Sequence, residues 1–161
     1  MKTKIFILMA MITLTVACKN KKSDNDEPKT QTQTKVNLET QTDFVAMGVI
    51  AVPAQDFKKN DVRVEAKINN TGRMTLNLYD VKFAEAMPVT IDMTLPNVEV
   101  DSITEKKIGF SGENIVPLTG NSPFEKYTTG QLNGYITPDS LCFTTTLGGI
   151  GTTYNGLLQA E

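Results

Sequence analysis

From Phe44 onward, apolar and polar residues alternate with a period of two. Val62, Val64, Ala66 and Ile68 interleave with Arg63, Glu65 and Lys67, the pattern of a strand with one wet face. Asn69-Asn70-Thr71-Gly72 follows, with Asn and Gly where a tight turn requires positive φ. Met74, Leu76 and Leu78 then alternate with Thr75 and Asn77, completing a hairpin. The apolar parity next shifts to Tyr79, Val81 and Phe83, which predicts a bulge near Asp80. A further strand runs through Val89, Ile91, Met93 and Leu95. Pro96 is expected to break or bend it, and Val98 and Val100 continue in the other parity. Residues 107–116 form a weaker strand around Ile108 and Phe110, stopped by Pro117, and Asn121-Ser122-Pro123 marks a loop. Residues 127–137 and 141–147 flank the turn Pro138-Asp139-Ser140, and Gly148-Gly149-Ile150-Gly151 loosens the chain before a last strand at 152–159. With a first strand at 47–52, the expectation is an all-β fold of eight short antiparallel strands. They form a meander closed into one up-and-down barrel or folded as a sandwich. Closure is favoured because it removes exposed edges, and eight strands enclose room for side chains or one small ligand.

The N-terminal third follows another logic. Lys2 and Lys4 precede an uncharged apolar run over residues 5–17, and Leu14-Thr15-Val16-Ala17-Cys18 ends it with a small residue before a cysteine. Charged start, apolar middle and small residue at a cut site make a secretory signal, and the run falls short of the roughly 20 residues that span a bilayer. This segment resembles the lipobox of bacterial lipoproteins. The resemblance implies removal of residues 1–17, lipid attachment at Cys18 and a membrane partner held through that lipid. Lys19 is not the Asp that retains enteric lipoproteins in the inner membrane, so the outer membrane is expected. Ser23-Asp24-Asn25-Asp26-Glu27 resembles the acidic export signal of surface lipoproteins of some Gram-negative gut anaerobes. Lys19, Asn20, Lys21 and Lys22 intervene, so cell surface and periplasmic face both stay open. Residues 18–42 lack aromatic residues and nearly lack aliphatic ones. They cannot bury enough surface to offset the entropy of ordering, and are expected to form a disordered tether ahead of a barrel at 43–161.

The strand rhythm, Gly130-Gln131-Leu132-Asn133-Gly134 before Pro138-Asp139-Ser140-Leu141, and the glycine-rich step into the last strand resemble the calycin-like β-barrel domain of gut-bacterial lipoproteins. That family is related in shape to lipocalins and fatty-acid-binding proteins. The resemblance implies architecture and little chemistry.

Composition narrows the chemistry. The chain of 161 residues has no histidine, which removes Ser-His-Asp and Cys-His catalysis and every histidine-containing metal site. Its formal charge is −2, and loss of Lys2 and Lys4 with the signal makes it two more negative. A mildly acidic chain without a basic cluster in its folded part argues against a nucleic-acid partner. Lipidation of Cys18 leaves Cys142 without a disulfide partner. Opposite in parity to Leu141 and Phe143, Cys142 should face away from the main apolar layer. No nearby cation or helix end marks it as reactive.

Gly149-Ile150-Gly151-Thr152-Thr153-Tyr154 begins like a dinucleotide loop but has Tyr in place of the third Gly and opens no helix. It reads as hairpin glycine. Asp24-Asn25-Asp26 lacks the turn and later carboxylate of a calcium loop, and no metal or other cofactor is expected. Asn69-Asn70-Thr71 matches a glycosylation acceptor but is explained by its turn. Glu65 and Asp92 have outward parity, which disfavours acid–base work, so no enzymatic activity is expected. The remaining signal is the inward apolar set Met74, Leu76, Leu78, Val89, Ile91, Met93, Leu141 and Phe143. It either packs a core or lines a pocket for a small apolar or amphipathic ligand. The expected function is accordingly an anchored, non-enzymatic binding module. The alternative is a protein-interaction or inhibitor module with a filled barrel, using loops such as Met87-Pro88 and residues 121–126.

Overall fold

The computed structural model describes residues 36–159. The expected signal, Cys18 and the acidic run lie outside them. Ten strands run in chain order: β1 Asp43–Val52, β2 Phe57–Ile68, β3 Arg73–Val81, β4 Ile91–Ile103 and β5 Ile108–Glu113. They continue as β6 Leu118–Thr119, β7 Ser122–Pro123, β8 Thr129–Ile136, β9 Ser140–Leu147 and β10 Ile150–Leu158. Every pairing between them is antiparallel. Eight form a closed meander: β1 through β5, then β8, β9 and β10, with β10 returning to β1 from Ala46↔Leu158 to Ala51↔Thr153. This is the eight-stranded up-and-down barrel expected from the alternation, an architecture consistent with a calycin-like domain.

The hairpin of β2 and β3 pairs Ile68 with Met74 and Val64 with Leu78. At its turn, Asn69 Oδ1 accepts hydrogen bonds from the amides of Thr71 and Arg73 and from the Thr71 hydroxyl, at 2.9, 3.0 and 2.7 Å. The bulge near Asp80 is present. The β3–β4 register shifts between Leu78 and Val81, and Asp80 has φ 54°, a left-handed conformation that Asp tolerates better than most residues. Asp92 Oδ1 secures it by accepting from the Asp80 amide at 2.9 Å. Gly148 and Gly149, at φ 58° and 81°, make the two-residue turn between Leu147 and Ile150. Only a pair of residues able to take positive φ suits such a hairpin, so these glycines serve the turn.

Three expectations need correction. The strand assigned to start at Val89 starts at Ile91, because the β3–β4 ladder closes at Val81↔Ile91; Val89 lies beyond that closure and is 65% exposed. At Pro96 the strand is irregular without breaking, as one of the two expected outcomes has it. There β4 carries a bulge, Asn97 at φ 58° and partners stepping from Leu76↔Leu95 to Met74↔Val98, so Val98 continues in the other parity. The loop at 121–123 contains β7, which pairs with β6, and β6 joins β4 at Thr94↔Leu118. Finally, the tether does not extend to residue 42. The chain turns at 37–41, with the Gln41 amide bonded to the Asn37 carbonyl at 3.0 Å. Leu38 in this turn is 1% exposed and Val36 packs against the same core. These are the aliphatic residues of a polar stretch, and their burial draws it into the domain.

The barrel has two unlike ends. Where β1 begins, the connections are short: 69–72, 104–107 and 137–139. At the far end lie the long ones, 82–90 and 114–128. Phe83 and Tyr127 from these two loops are buried, with ring centroids 5.4 Å apart, and Phe124 adds a third ring 4.8 Å from Tyr127. The Phe83 amide donates to Met87 Sδ at 3.1 Å, tying the 82–90 loop to itself.

Candidate functional site

The inward faces of the strands decide between pocket and core. Met74, Leu76 and Leu141 are 0% exposed, Leu78 and Met93 1%, and Phe143 3%. Ile91 is partly buried and packs against the core near the far end. A hollow of the roughly 300–1,000 Å³ that holds a small ligand would leave exposed surface on its walls, and these walls have essentially none. Aromatic side chains fill the middle. Tyr154 stacks on Phe143 with centroids 5.2 Å apart, and its hydroxyl donates to the Val62 carbonyl at 3.1 Å. Gly134 faces Phe110 and Phe143 so closely that a Cβ there would run into the Phe110 ring and lie 2.7 Å from Phe143 Cβ. Apart from Val89, the inward set is closed or nearly closed to solvent. That burial favours a packed core over a ligand cavity among these residues.

Polar groups inside are few. Thr129, Thr145 and Thr152 are buried; Thr152 bonds locally to the Ile150 carbonyl at 3.1 Å, and Thr129 Oγ1 has no partner among the described residues.

Outside, the barrel presents two different faces. Across β2, β3 and β4 the outward side chains pair with one another. Glu65 accepts from Arg63 and, at 3.0 Å, from the Tyr79 hydroxyl, with Lys67 Nζ 3.8 Å away. Burial first, and then the bond to Glu65, push the Tyr79 phenol above its ordinary pKa. Thr94 donates to Asn77 at 2.8 Å, and Arg73 lies 3.5 Å from Glu99. Glu65 and Asp92 do point outward as expected, and both are engaged in holding the sheet.

The other face, over β8, β9 and β10, is built from neutral residues. Cys142 and Thr144 of β9 form a low row. Register sets Tyr135 and Asn133 beside them on β8, and Asn155 and Thr153 on β10. Short side chains between taller ones make a trough along β9 of about 480 Å³, with Lys107 at one end. Lys107 Nζ sits 4.9 Å from the Tyr135 ring centroid, a cation–π distance. Cys142 is half-buried and free, with the outward parity expected of it. Its thiol beside the Tyr135 hydroxyl raises that phenol's pKa. A second depression, about 380 Å³, lies over β5 and β8 and includes Glu99 and Glu113. Sequence reasoning assigned none of Asn133, Tyr135, Thr144, Thr153 and Asn155 to a site; Asn133 and Thr153 entered only as parts of a family motif and a glycine loop. The signal that marks them is a run of uncharged polar residues at the outward parity on three successive strands.

Among the described residues no group of three or more Cys, Asp or Glu is placed to hold a metal ion, and no helix is long and apolar enough to cross a membrane. No family model matches the chain, and no characterised protein or solved structure does either.

Proposed function

We propose that this protein is a lipid-anchored, non-enzymatic binding module of the outer membrane that recognises its partner with the outer surface of a filled barrel. The observation that carries the reading is the burial of Met74, Leu76, Leu78, Met93, Leu141 and Phe143 to 3% exposure or less. With no room inside, recognition falls to the exterior and to the loops of the far end. Anchoring rests on the lipobox-like end of the signal, with Cys18 receiving the lipid and Lys19 following it. The absence of histidine from the sequence, and the engagement of Glu65 and Asp92 in structural hydrogen bonds, support a non-enzymatic role.

Two measurements test the two halves of this reading. Detergent phase partitioning from bacterial membranes should place the wild type in the detergent phase and Cys18→Ala in the aqueous phase, since each buried methylene of an acyl chain contributes ~0.8 kcal/mol. Equal partitioning would remove the anchor. Titration of the folded protein with an environment-sensitive apolar dye should give no saturable signal. Stoichiometric binding would instead restore the small-ligand barrel.

A further inference from the structure

We infer that the trough along β9 is a binding site for a neutral glycan strand. The inference rests on the exterior-binding reading above and names its surface and ligand class.

Hydrogen-bonding capacity is the first ground. Asn133, Thr144, Thr153 and Asn155 line the trough, and their side chains bond to no other described residue. Several outward groups elsewhere are paired, Asn77 with Thr94, Tyr79 with Glu65 and Ser111 with Asp101 at 2.8 Å, whereas in the trough four open groups stand side by side. The trough thus collects amides and hydroxyls that face water with their donors and acceptors open. An amide offers a donor and an acceptor side by side, and a hydroxyl does both with one atom. Sugar hydroxyls, which also donate and accept, are the matching chemistry.

Charge is the second ground. Lys107 is the single charged residue lining the trough, and it rests on the Tyr135 ring. A charged ligand would leave most of its charge without a partner, at a cost that a neutral one avoids. Tyr135, 38% exposed, supplies apolar surface for the C–H face of a pyranose, and the volume falls within the range of small-ligand sites.

An extended peptide would fit the length of a trough but not its chemistry. Peptides bind sheets chiefly by adding a strand to an open edge, and this barrel closes β10 onto β1 and β9. Nor does the trough hold alternating apolar pockets for side chains.

The test uses the full chain carrying Cys18→Ala, titrated with maltotetraose, cellotetraose, chitotetraose and mannotetraose. Tetragalacturonate serves as an acidic control and an extended Ser/Thr-rich peptide as the peptide control. At least one neutral oligosaccharide should bind saturably, shifting the amide resonances of β8, β9 and β10. Asn133→Ala/Asn155→Ala should weaken that binding about tenfold, the effect of ~1.4 kcal/mol, within reach of two lost hydrogen bonds. Its unfolding curve should match that of the parent, and Thr75→Ala on the opposite face should bind as the parent does. Binding by none of the neutral sugars, by the acidic sugar or peptide alone, or unchanged binding by the double variant overturns the assignment. These failures leave the exterior-binding reading standing, whereas stoichiometric uptake of the apolar dye would remove that reading whatever the sugars do.

Discussion

Tyr154 shows how much the filled interior depends on single side chains. It is fully buried at the centre of the barrel, stacked on Phe143 and bonded to the Val62 carbonyl. Burial, and then the nearby Cys142, push its phenol pKa well above the ordinary value. The consequence for stability has a definite sign. Above pH ~10 the unfolded phenol ionises while the folded one keeps its proton, so the unfolded state binds fewer protons. This contribution is therefore complete below about pH 10 and is lost as pH rises further, at up to roughly 1.4 kcal/mol per unit. Tyr154→Phe should cost about 0.5–1.5 kcal/mol near neutrality, the worth of the hydrogen bond. Its stability should then fall less steeply than the wild type's at alkaline pH. Urea unfolding at about pH 7 and about pH 11 measures both effects.

At the scale of elements, alternation was legible wherever a strand stays regular, and also across the left-handed residues Asp80 and Asn97, where an apolar series resumes in the other phase. The hairpin of β2 and β3 was readable because Val62 to Leu78 contains no bulge between its turn and its paired residues. The first half of β2 was not. Asp61 has φ 57°, and the β1 register jumps from Gly48↔Val62 to Ile50↔Lys59, so Phe57 and Lys59 belong to a phase that Val62 does not continue. Asn97 resets the phase within β4 as well, but there Val98 and Val100 made the shift readable. The start of the domain was missed for a different reason. Val36 and Leu38 are isolated apolar residues among polar ones, and only the core they meet makes them count. A fragment beginning at residue 36 should therefore be more stable than one beginning at 43, by about 2 kcal/mol or more. That is the low end of the cost of removing a buried leucine side chain. Equal melting temperatures would return residues 36–42 to the tether.

At the scale of the whole molecule, alternation cannot tell a full barrel from a hollow one. Both put Met74, Leu76, Leu78, Met93, Leu141 and Phe143 on the inside. The difference lies in how side-chain volumes meet across the barrel, as where Gly134 leaves space that Phe110 and Phe143 occupy. Nothing in a single strand records that. The outer trough was equally hidden, because its residues are brought side by side only by the registers of β8, β9 and β10. The central claim is thus that the barrel is filled, and Met93 is the position to test it, at 1% exposure on the inner face of β4. The chain has no tryptophan, so Met93→Trp also installs a single fluorescent reporter. In a packed interior the larger ring must displace its neighbours, and denaturant unfolding followed by that fluorescence should show a loss of about 1–3 kcal/mol relative to the wild type. A variant as stable as the wild type, or more so, would show that the ring had entered an existing hollow and would contradict the filled barrel.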